Sequence, residues 1–400
     1  MNLVVTVEQR FLRLPDGSYW SPNGFARSFW DRYLEVFDGI RVVARVAESS
    51  SVPTGWERSD GPGISFAPVP YYVGPWQYLV RALGVRDAVR RAVGAADAVL
   101  MRVASRIASV LEPALSGARH PFGLEVVGDP YETFAPGAVR HPLRPIVRRW
   151  MTRELRRQCR AACSVAYVTE RTLQSRYPAS AGTFLASYSS IELGREAFVA
   201  APRPSSPVLA RPSLLAIGSL SQPYKGFDVL IDAIALCRLG GIETGLVILG
   251  DGRYRTEIES RVSRRGLSGA VRFAGQVPPG AAVRAELDRA DLFVMPSRTE
   301  GLPRAMLEAM ARALPCVGSS IGGIPELLPA EDLAPPGDAA ALARLIVEVL
   351  KDPGRMQLMS ARNLMKAGEY RAEILASRRR AHYRYLRERT EAWLGRGGGE

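Results

Sequence analysis

The stretch Met295-Pro-Ser-Arg-Thr-Glu-Gly-Leu-Pro-Arg-Ala-Met-Leu-Glu-Ala-Met-Ala-Arg-Ala-Leu-Pro315 decides the fold of the second half of the chain. An apolar run ends at Met295, a polar turn follows, and apolar residues then recur three and four positions apart. This pattern predicts a strand, a tight turn and a helix over residues 302–313. Pro303 suits the first turn of that helix, where its missing N–H is not needed.

The start of this predicted helix is suited to bind an anion. The N–H groups of a first helical turn have no partner within the helix, and the helix dipole favours negative charge there. Glu300 precedes the helix and Glu308 follows eight residues later. Two carboxylates beside a phosphate-binding helix start can accept hydrogen bonds from sugar hydroxyls. Taken singly, Glu300 fits equally well a residue that complements the dipole, and Glu308 an exposed helical residue.

The rest of the 400 residues alternates short β-branched runs with longer helical stretches, which indicates a parallel α/β architecture. Strands are predicted at residues 3–7, 41–45, 64–67, 98–101, 124–127 and 165–169, and again at 214–217, 246–249, 271–274, 292–295 and 316–318. Helices are predicted at 23–37, 102–115, 148–162, 227–239, 253–264, 281–290, 302–313 and 339–350.

A segment rich in proline and serine separates the two series of elements. Residues 200–207 hold three prolines and two serines, a composition typical of an extended linker. The sequence therefore predicts a first Rossmann-like domain over residues 1–199, a linker over 200–212, and a second Rossmann-like domain over 213–368. Two doubly wound sheets joined in this way are expected to face each other across a cleft, with ligands at the carboxyl ends of the strands.

The composition is that of a folded protein with an excess of positive charge. Hydrophobic residues make up 47%, and 53 Lys and Arg residues oppose 40 Asp and Glu residues, a net charge of +13. Four cysteines and three scattered histidines predict neither a disulfide framework nor a zinc site. No apolar run approaches the ~18 residues that cross a bilayer, and no signal-peptide pattern occurs. We expect a cytoplasmic protein.

Several segments resemble one family in order and spacing. Glu300 and Glu308 lie in Pro-Ser-Arg-x-Glu-Gly-Leu-Pro and Leu-Glu-Ala-Met-Ala, which resemble the donor-binding signature of glycosyltransferase family 4. The resemblance covers residues 214–352, whereas the first half is similar in architecture alone. It implies the GT-B fold, with a C-terminal helix over residues 369–400 that packs back on the first domain. It also implies a retaining enzyme that uses a nucleotide sugar. The further matching segments are Ile217-Gly-Ser-Leu, Tyr224-Lys-Gly-Phe-Asp228, Leu249-Gly-Asp-Gly252, Val271-Arg-Phe-Ala-Gly275, Gly322-Gly-Ile-Pro-Glu326 and Pro336-Gly-Asp338.

The resemblance implies roles for residues of the second domain. Lys225 would contact the donor diphosphate, Glu308 would hold the nucleotide ribose, and Glu300 would hold the transferred sugar. Many family members carry an arginine after the glycine that corresponds to Gly218, but this sequence has Ser219 there. A second cation for the diphosphate is therefore unassigned, and the candidates are Arg298 and an arginine of the first domain. The remaining donor-binding residues implied are Gly301, Leu302 and Pro303 around the sugar, and Gln276 and Val277 beside the base.

Two positions in the first domain are matched less specifically. Family members often place a histidine or aspartate at a strand end that faces the donor sugar, and Asp129 is the best match here. Asp-Pro is also a common turn pair. Gly24, in Tyr19-Trp-Ser-Pro-Asn-Gly-Phe25, matches the glycine loop that closes over the donor phosphates. The three aromatic residues of that loop suit either stacking on a sugar or packing in the core.

The sequence also bears on metals and on anionic partners. No Asp-x-Asp occurs, so we expect no metal and no cofactor besides the nucleotide sugar as co-substrate. Residues 140–160 contain eight arginines, and residues 371–389 contain seven. These clusters fit solvated helix faces, a phosphorylated acceptor, or peripheral contact with an anionic membrane surface.

Two other functions are compatible with parts of the sequence. One is a nucleotide-sugar epimerase or a pseudo-glycosyltransferase on the same fold. The other is a basic nucleic-acid-binding protein, although no nucleic-acid-binding motif is present and no nucleic-acid partner is expected.

Overall fold

The structure, a computed structural model, describes residues 1–22, 24–136, 142–204 and 210–397. Four features considered above fall partly outside these ranges: the predicted helix start at Asn23, residues 205–209 of the predicted linker, Arg140, and residues 398–400 of the predicted C-terminal helix. By its internal contacts the chain divides into two compact units. The first comprises Met1–Gly128, Trp150–Tyr188 and the chain from Ala376 onward, and the second comprises Asp129–Arg149 and Ser189–Leu375.

Fifteen strands and thirteen helices are described. The strands are β1 (Asn2–Arg13), β2 (Tyr19–Ser21), β3 (Gly39–Glu48), β4 (Glu57–Arg58), β5 (Ile64–Pro70), β6 (Ala98–Val103), β7 (Gly123–Val126), β8 (Ser164–Tyr167), β9 (Phe184–Ser187), β10 (Ser213–Ile217), β11 (Gly245–Leu249), β12 (Val271–Gly275), β13 (Leu292–Met295), β14 (Cys316–Ser319) and β15 (Leu333–Ala334). The helices are α1 (Arg27–Leu34), α2 (Gly74–Arg91), α3 (Arg106–Gly117), α4 (Pro130–Thr133), α5 (Arg144–Ala161), α6 (Thr172–Arg176), α7 (Phe227–Leu239), α8 (Arg255–Arg264), α9 (Ala281–Arg289), α10 (Arg304–Ala311), α11 (Ala339–Leu350), α12 (Pro353–Gly368) and α13 (Ala372–Leu394).

The first unit is built on a parallel sheet in the order β5-β3-β1-β6-β7-β8-β9. β1 is long enough to pair with three strands. Its first half lies between β3 and β6, and beyond an irregularity between Thr6 and Arg10 its end pairs with antiparallel β2. The central strands β6, β7 and β8 are almost fully buried, as strands covered on both faces by helices must be.

The second unit contains a six-stranded, wholly parallel sheet in the order β12-β11-β10-β13-β14-β15. Its core includes Leu230 and Ile234 of α7 with Ile346 and Val349 of α11. After β10 the chain adds β11 and β12 on one side, and it then adds β13, β14 and β15 on the other side. The order in which strands are added therefore reverses between β10 and β13. Both sheets are Rossmann-like, and the predicted α/β class is confirmed.

Several predicted elements agree with the structure, and several do not. The bounds of α7 and α11 are the predicted ones, and Asp338 caps α11 by accepting a hydrogen bond from the N–H of Ala341. The short strands β2, β4, β9 and β15 were not predicted, nor was helix α2. α2 carries apolar residues on two opposite faces, so it lacks the single stripe by which a helix is recognised.

The start of α10 corrects a prediction. The helix begins at Arg304, and Pro303 occupies the preceding position with an extended backbone, ψ 111°. The prediction that Pro303 lies within the first helical turn was therefore wrong. Proline fixes φ but not ψ, so its presence marks the approach to a helix without fixing the first helical residue.

The compact units differ from the predicted domains in two segments of the predicted first domain. Residues 189–199 were assigned to the first domain, but they group with the second unit, as do Asp129–Arg149. The chain from Ala376 onward groups with the first unit. No helix among the described residues is both long and apolar enough to cross a membrane.

A buried polar cluster ties α13 to the sheet of the first unit. Glu125 on β7 forms an ion pair with Arg102 on β6. Its Oε1 accepts a hydrogen bond from Tyr383 of α13 at 2.8 Å. The hydroxyl of Tyr188 lies 3.0 Å from the same oxygen and 2.8 Å from Nδ1 of His382. Burial alone would raise the pKa of the Glu125 carboxyl, but Arg102 and Tyr383 outweigh it and the pKa is lowered.

We expect Glu125→Gln to destabilise the first unit, because it leaves the buried Arg102 without its counter-ion. The expected loss is about 3 kcal/mol, or roughly 6–12 °C in the unfolding midpoint measured by circular dichroism at pH 7. Because the folded state lowers the pKa of Glu125, its contribution is complete above the ordinary value of 4.5 and is lost as the pH falls below it. The difference from the unaltered protein should therefore narrow in acid. Glu57→Gln, at an exposed position of β4, is the control. Equal midpoints for E125Q and the unaltered protein at pH 7 would contradict the assignment.

Candidate active site

Two loops of the second unit meet beyond β10 and β13, where the order of its strands reverses. One follows β10, from Gly218 to Gly226, and the other follows β13, from Pro296 to Pro303. The carboxyl ends of strands beside such a point form the usual ligand crevice of an open α/β sheet. The residues most strongly implicated by the sequence, Lys225 and Glu300, lie one on each loop.

Gly226 permits the two loops to touch. It has φ 68°, in the left-handed region, and any Cβ there would overlap the carbonyl oxygen of Pro296. The N–H of Arg298 donates to the carbonyl oxygen of Tyr224 at 2.7 Å, which joins the same two loops. A side chain at position 226 would force them apart, so glycine is needed for both its conformation and its size.

Arg298 braces the site from below and is not a free cation. Its two terminal nitrogens donate to the two carboxylate oxygens of Asp228, both at 2.7 Å, and one of them also reaches the carbonyl oxygen of Pro223 at 3.0 Å. These bonds to Asp228 raise the pKa of the guanidinium. The suggestion that Arg298 replaces the arginine missing at Ser219 is therefore not supported. Ser219 itself donates to the hydroxyl of Ser221 at 2.9 Å.

Lys225 and Glu300 form an ion pair across the two loops. Nζ of Lys225 lies 2.6 Å from Oε1 of Glu300, and the hydroxyl of Ser297 donates to the same oxygen at 2.7 Å. Gly218 lies directly against the methylene groups of Lys225, since a Cβ there would come within 3.0 Å of them. Both charged side chains are mostly buried, with 17% and 9% of their surface exposed. The contribution of Ser297 was not anticipated from the sequence.

A glycine pair fixes the backbone around Glu300. Gly322 has φ 57°, and a Cβ there would overlap the carbonyl oxygen of Glu300. The N–H of Gly323 donates to the carbonyl oxygen of Gly301 at 2.8 Å. The loop from Glu300 to Leu302 is thus held against the segment that follows β14. No side chain of the described residues caps the start of α10, so the N–H groups of its first turn are available to a ligand.

Glu308 lies on α10, half-buried. Its carboxylate forms no hydrogen bond or ion pair within the described parts of the chain. Burial raises the pKa of its carboxyl, and Arg304 and Arg284 act only partly against this effect. Such a carboxylate has acceptor capacity for hydroxyl groups that the protein does not use. Gln276 is exposed and Val277 half-buried, just past the end of β12.

Asp129 caps the short helix α4. Its Oδ1 accepts hydrogen bonds from the N–H groups of Tyr131 at 3.0 Å and Glu132 at 3.4 Å, and the residue is only 5% exposed. This is the turn role typical of an Asp-Pro pair. A catalytic role for Asp129 stays a prediction.

The segment around Gly24 differs from the predicted loop. Tyr19–Ser21 forms strand β2, Tyr19 stacks on Phe66 with ring centres 4.1 Å apart, and Phe25 packs against Phe29 at 4.6 Å. These two aromatic residues therefore belong to the packing of the first unit. Gly24 has φ 100° and open space around its Cα. Its proposed contact with phosphates stays a prediction.

Two Rossmann-like units, with a cation and two glutamates beside the carboxyl ends of the second sheet, are the arrangement expected of the GT-B class of glycosyltransferases. Residues 211–352 match the family model for glycosyl transferases group 1. Protein CapJ of Staphylococcus aureus is 25% identical over 81% of this chain and 80% of its own length. The amylovoran biosynthesis glycosyltransferase AmsK of Erwinia amylovora is 34% identical over 34% of this chain and 35% of its own length.

A solved structure is similar in fold to this protein over almost the whole chain. The Anabaena protein Alr3699/HepE, in complex with UDP-glucose, superposes with a TM-score of 0.61 and 16% identity, covering 99% of this chain and 100% of that one. Residues 211–352 are thus similar to the group 1 glycosyltransferases, and the chain has the GT-B fold, as the sequence predicted. A hexosyltransferase-type enzyme is the activity that this match indicates. The nucleic-acid-binding and epimerase interpretations are not favoured.

We expect Gly226→Ala to damage the site far more than its conformation alone explains. Gly241, in the loop after α7, is the matched control: it has φ 77° but open space around its Cα. Gly241→Ala should cost about 1–2 kcal/mol of backbone strain. Gly226→Ala should cost clearly more, because the loops must also separate, and it should weaken binding of a nucleoside diphosphate in calorimetry. Equal effects of the two substitutions on both stability and binding would contradict the close loop approach.

Proposed function

We propose that this protein transfers a sugar from a nucleotide-sugar donor to an acceptor with retention of the anomeric configuration and without a metal ion. The observation that carries the proposal is the Lys225–Glu300 pair beside the uncapped start of α10. It combines a cation and N–H donors for a diphosphate with a carboxylate for sugar hydroxyls. The UDP-glucose complex of the similar Anabaena protein supports a nucleotide sugar as the donor.

Lys225 is the residue proposed to neutralise the diphosphate. In the free protein its charge is balanced by Glu300 at 2.6 Å. An arriving diphosphate offers Lys225 a more highly charged partner, and the carboxylate of Glu300 is then released to accept hydrogen bonds from the sugar. Because Ser219 supplies no cation, leaving-group charge falls on Lys225 and on the N–H groups at the start of α10.

Glu308 is the residue proposed to bind the nucleotide ribose. Its carboxylate lies half-buried on α10 without a partner among the described residues. Both of its oxygens can therefore accept hydrogen bonds from the ribose hydroxyl groups. Gln276 and Val277 would then flank the base. Gly218, Gly301, Leu302 and Pro303 would supply close backbone around the phosphates and the sugar.

Retention places the acceptor on the same face of the sugar as the departing diphosphate. A phosphate oxygen of the leaving group then takes the acceptor proton as the new bond forms, so no separate base is required on the opposite face. Glu300 orients the sugar, and Asp129 is proposed to face it from the acceptor side.

We also propose a cytoplasmic enzyme in peripheral contact with an anionic membrane surface. All four cysteines are free thiols, as is usual in a reducing compartment. On α5, Arg149, Arg153 and Arg160 are exposed, and their side chains form no hydrogen bond or ion pair within the described ranges. The arginines of α13 support this contact less, because three of them form ion pairs: Arg378 with Glu170, Arg380 with Glu35, and Arg387 with Glu391.

A ligand series tests the division of labour in the donor site. Lys225→Ala should weaken binding of a nucleoside diphosphate by about tenfold to a hundredfold and leave nucleoside binding unchanged, because only the phosphates lose a partner. Glu308→Gln should weaken both ligands equally, because both contain the ribose. Isothermal calorimetry measures each affinity, and Lys351→Ala is the control at an exposed lysine. Equal losses of both ligands in K225A would count against the diphosphate role.

The stereochemistry of the product is the decisive test of mechanism. An α-linked donor should give an α-linked product, as read from the anomeric proton by NMR. Glu300→Gln should lose most turnover yet bind nucleoside diphosphate at least as tightly, since Lys225 no longer has a competing carboxylate. Asp129→Asn should slow transfer more than it weakens donor binding, because it removes the charge proposed to face the sugar. The fold should be retained, since asparagine still caps α4. A β-linked product would overturn the retaining mechanism and make Asp129 the candidate base.

A further inference from the structure

Helix α2 exposes an apolar face that no described part of the chain covers. Its inner side, which includes Val85 and Val89, is buried. Its opposite side lies in solvent over the first half of the helix. This α2 apolar face consists of Trp76, Leu79, Val80 and Leu83, exposed by 80%, 62%, 87% and 77% respectively. Single exposed apolar residues are ordinary, but four adjacent large ones on one helix face indicate an interaction surface.

On the other side of α2, an arginine lies between two aromatic rings. The guanidinium carbon of Arg106 lies 4.7 Å from the ring centre of Tyr78 on α2 and 4.6 Å from that of Trp150 on α5. Trp150 is itself 44% exposed. Tyr78 lies on the side of α2 that packs against the core, so Trp150 is a separate exposed residue and not part of the α2 apolar face.

Positive charge surrounds this surface. α2 carries four arginines and one acidic residue, Asp87, and α5 carries seven arginines and one acidic residue, Glu154. Arg81, Arg86 and Arg90 are exposed, and none forms an ion pair or a side-chain hydrogen bond within the described ranges of the chain. Apolar and aromatic side chains bordered by arginine are the chemistry of a helix that lies in the interface of an anionic bilayer.

We propose that the α2 apolar face is the surface by which this protein docks on an anionic lipid membrane. Trp76, Val80 and Leu83 enter the headgroup region, and the exposed arginines of α2 contact lipid phosphates. This inference rests on the proposed peripheral contact, but assigns it to a helix that the sequence did not single out. A second copy of the chain is a poorer occupant, because a two-fold interface would bring the same arginines face to face.

Vesicle co-sedimentation tests the proposal with the full chain. The unaltered protein should bind vesicles containing phosphatidylglycerol, bind pure phosphatidylcholine vesicles far more weakly, and lose affinity as salt is added. The triple variant Trp76→Gln/Val80→Gln/Leu83→Gln should bind anionic vesicles at least about a hundredfold more weakly, because each large side chain removed from the interface is worth about tenfold. All three positions are exposed, so the fold is retained.

A matched control separates this surface from general stickiness. Leu239→Gln/Leu358→Gln replaces apolar residues that are 85% and 74% exposed but lie in the second unit, and it should leave vesicle binding unchanged. Nucleoside diphosphate binding in solution should be the same in all variants, so failure here is distinguishable from failure of the donor site. Unchanged vesicle binding by the triple variant would overturn the proposal. So would absent vesicle binding combined with a dimer, by analytical ultracentrifugation, that the triple variant converts to monomer.

Discussion

The contact between Lys225 and Glu300 is the interaction on which the organisation of the second unit converges. The two residues are 75 positions apart, and neither loop could bring them together alone. They meet because Gly226 lets one loop pass against Pro296, and because Gly322 and Gly323 hold the backbone of the other loop. An ion pair of this kind, mostly shielded from water, forms only where the backbone is already fixed.

Charge is used differently elsewhere in the second unit. Arg298 and Asp228 satisfy each other in a two-point pair beneath the loops, so they add rigidity and no free charge. Lys225 and Glu300 satisfy each other through single atoms, and both retain capacity for a further partner. Glu308 has no such partner among the residues that the structure describes. The site thus combines one locked pair, one exchangeable pair and one free carboxylate, which suits a ligand that carries both phosphates and hydroxyls.

The first unit solves a different problem with buried charge. Glu125 and Arg102 lie on neighbouring central strands, and the hydroxyl groups of Tyr383 and Tyr188 complete the hydrogen bonding of the carboxylate. Because Tyr383 belongs to α13, this cluster fixes the last helix to strands formed early in the sequence. Five of the arginines between residues 371 and 389 lie on the same helix within one stretch of ten residues, yet several serve ion pairs and not external ligands.

The sequence by itself determined the α/β class, the positions of most parallel strands along the chain, and the stretch that contains Glu300 and Glu308. These follow from local apolar patterns and from motifs whose residues are close in the chain. Only the tertiary structure decided that Arg298 is bound to Asp228, that Ser297 joins Glu300, and that Tyr19 and Phe25 pack inside the first unit. Each of these depends on segments that are brought together by folding. The exposed face of α2 was equally hidden, because a helix that is apolar on two sides has no periodic signal, and the surrounding chain alone determines which side is covered.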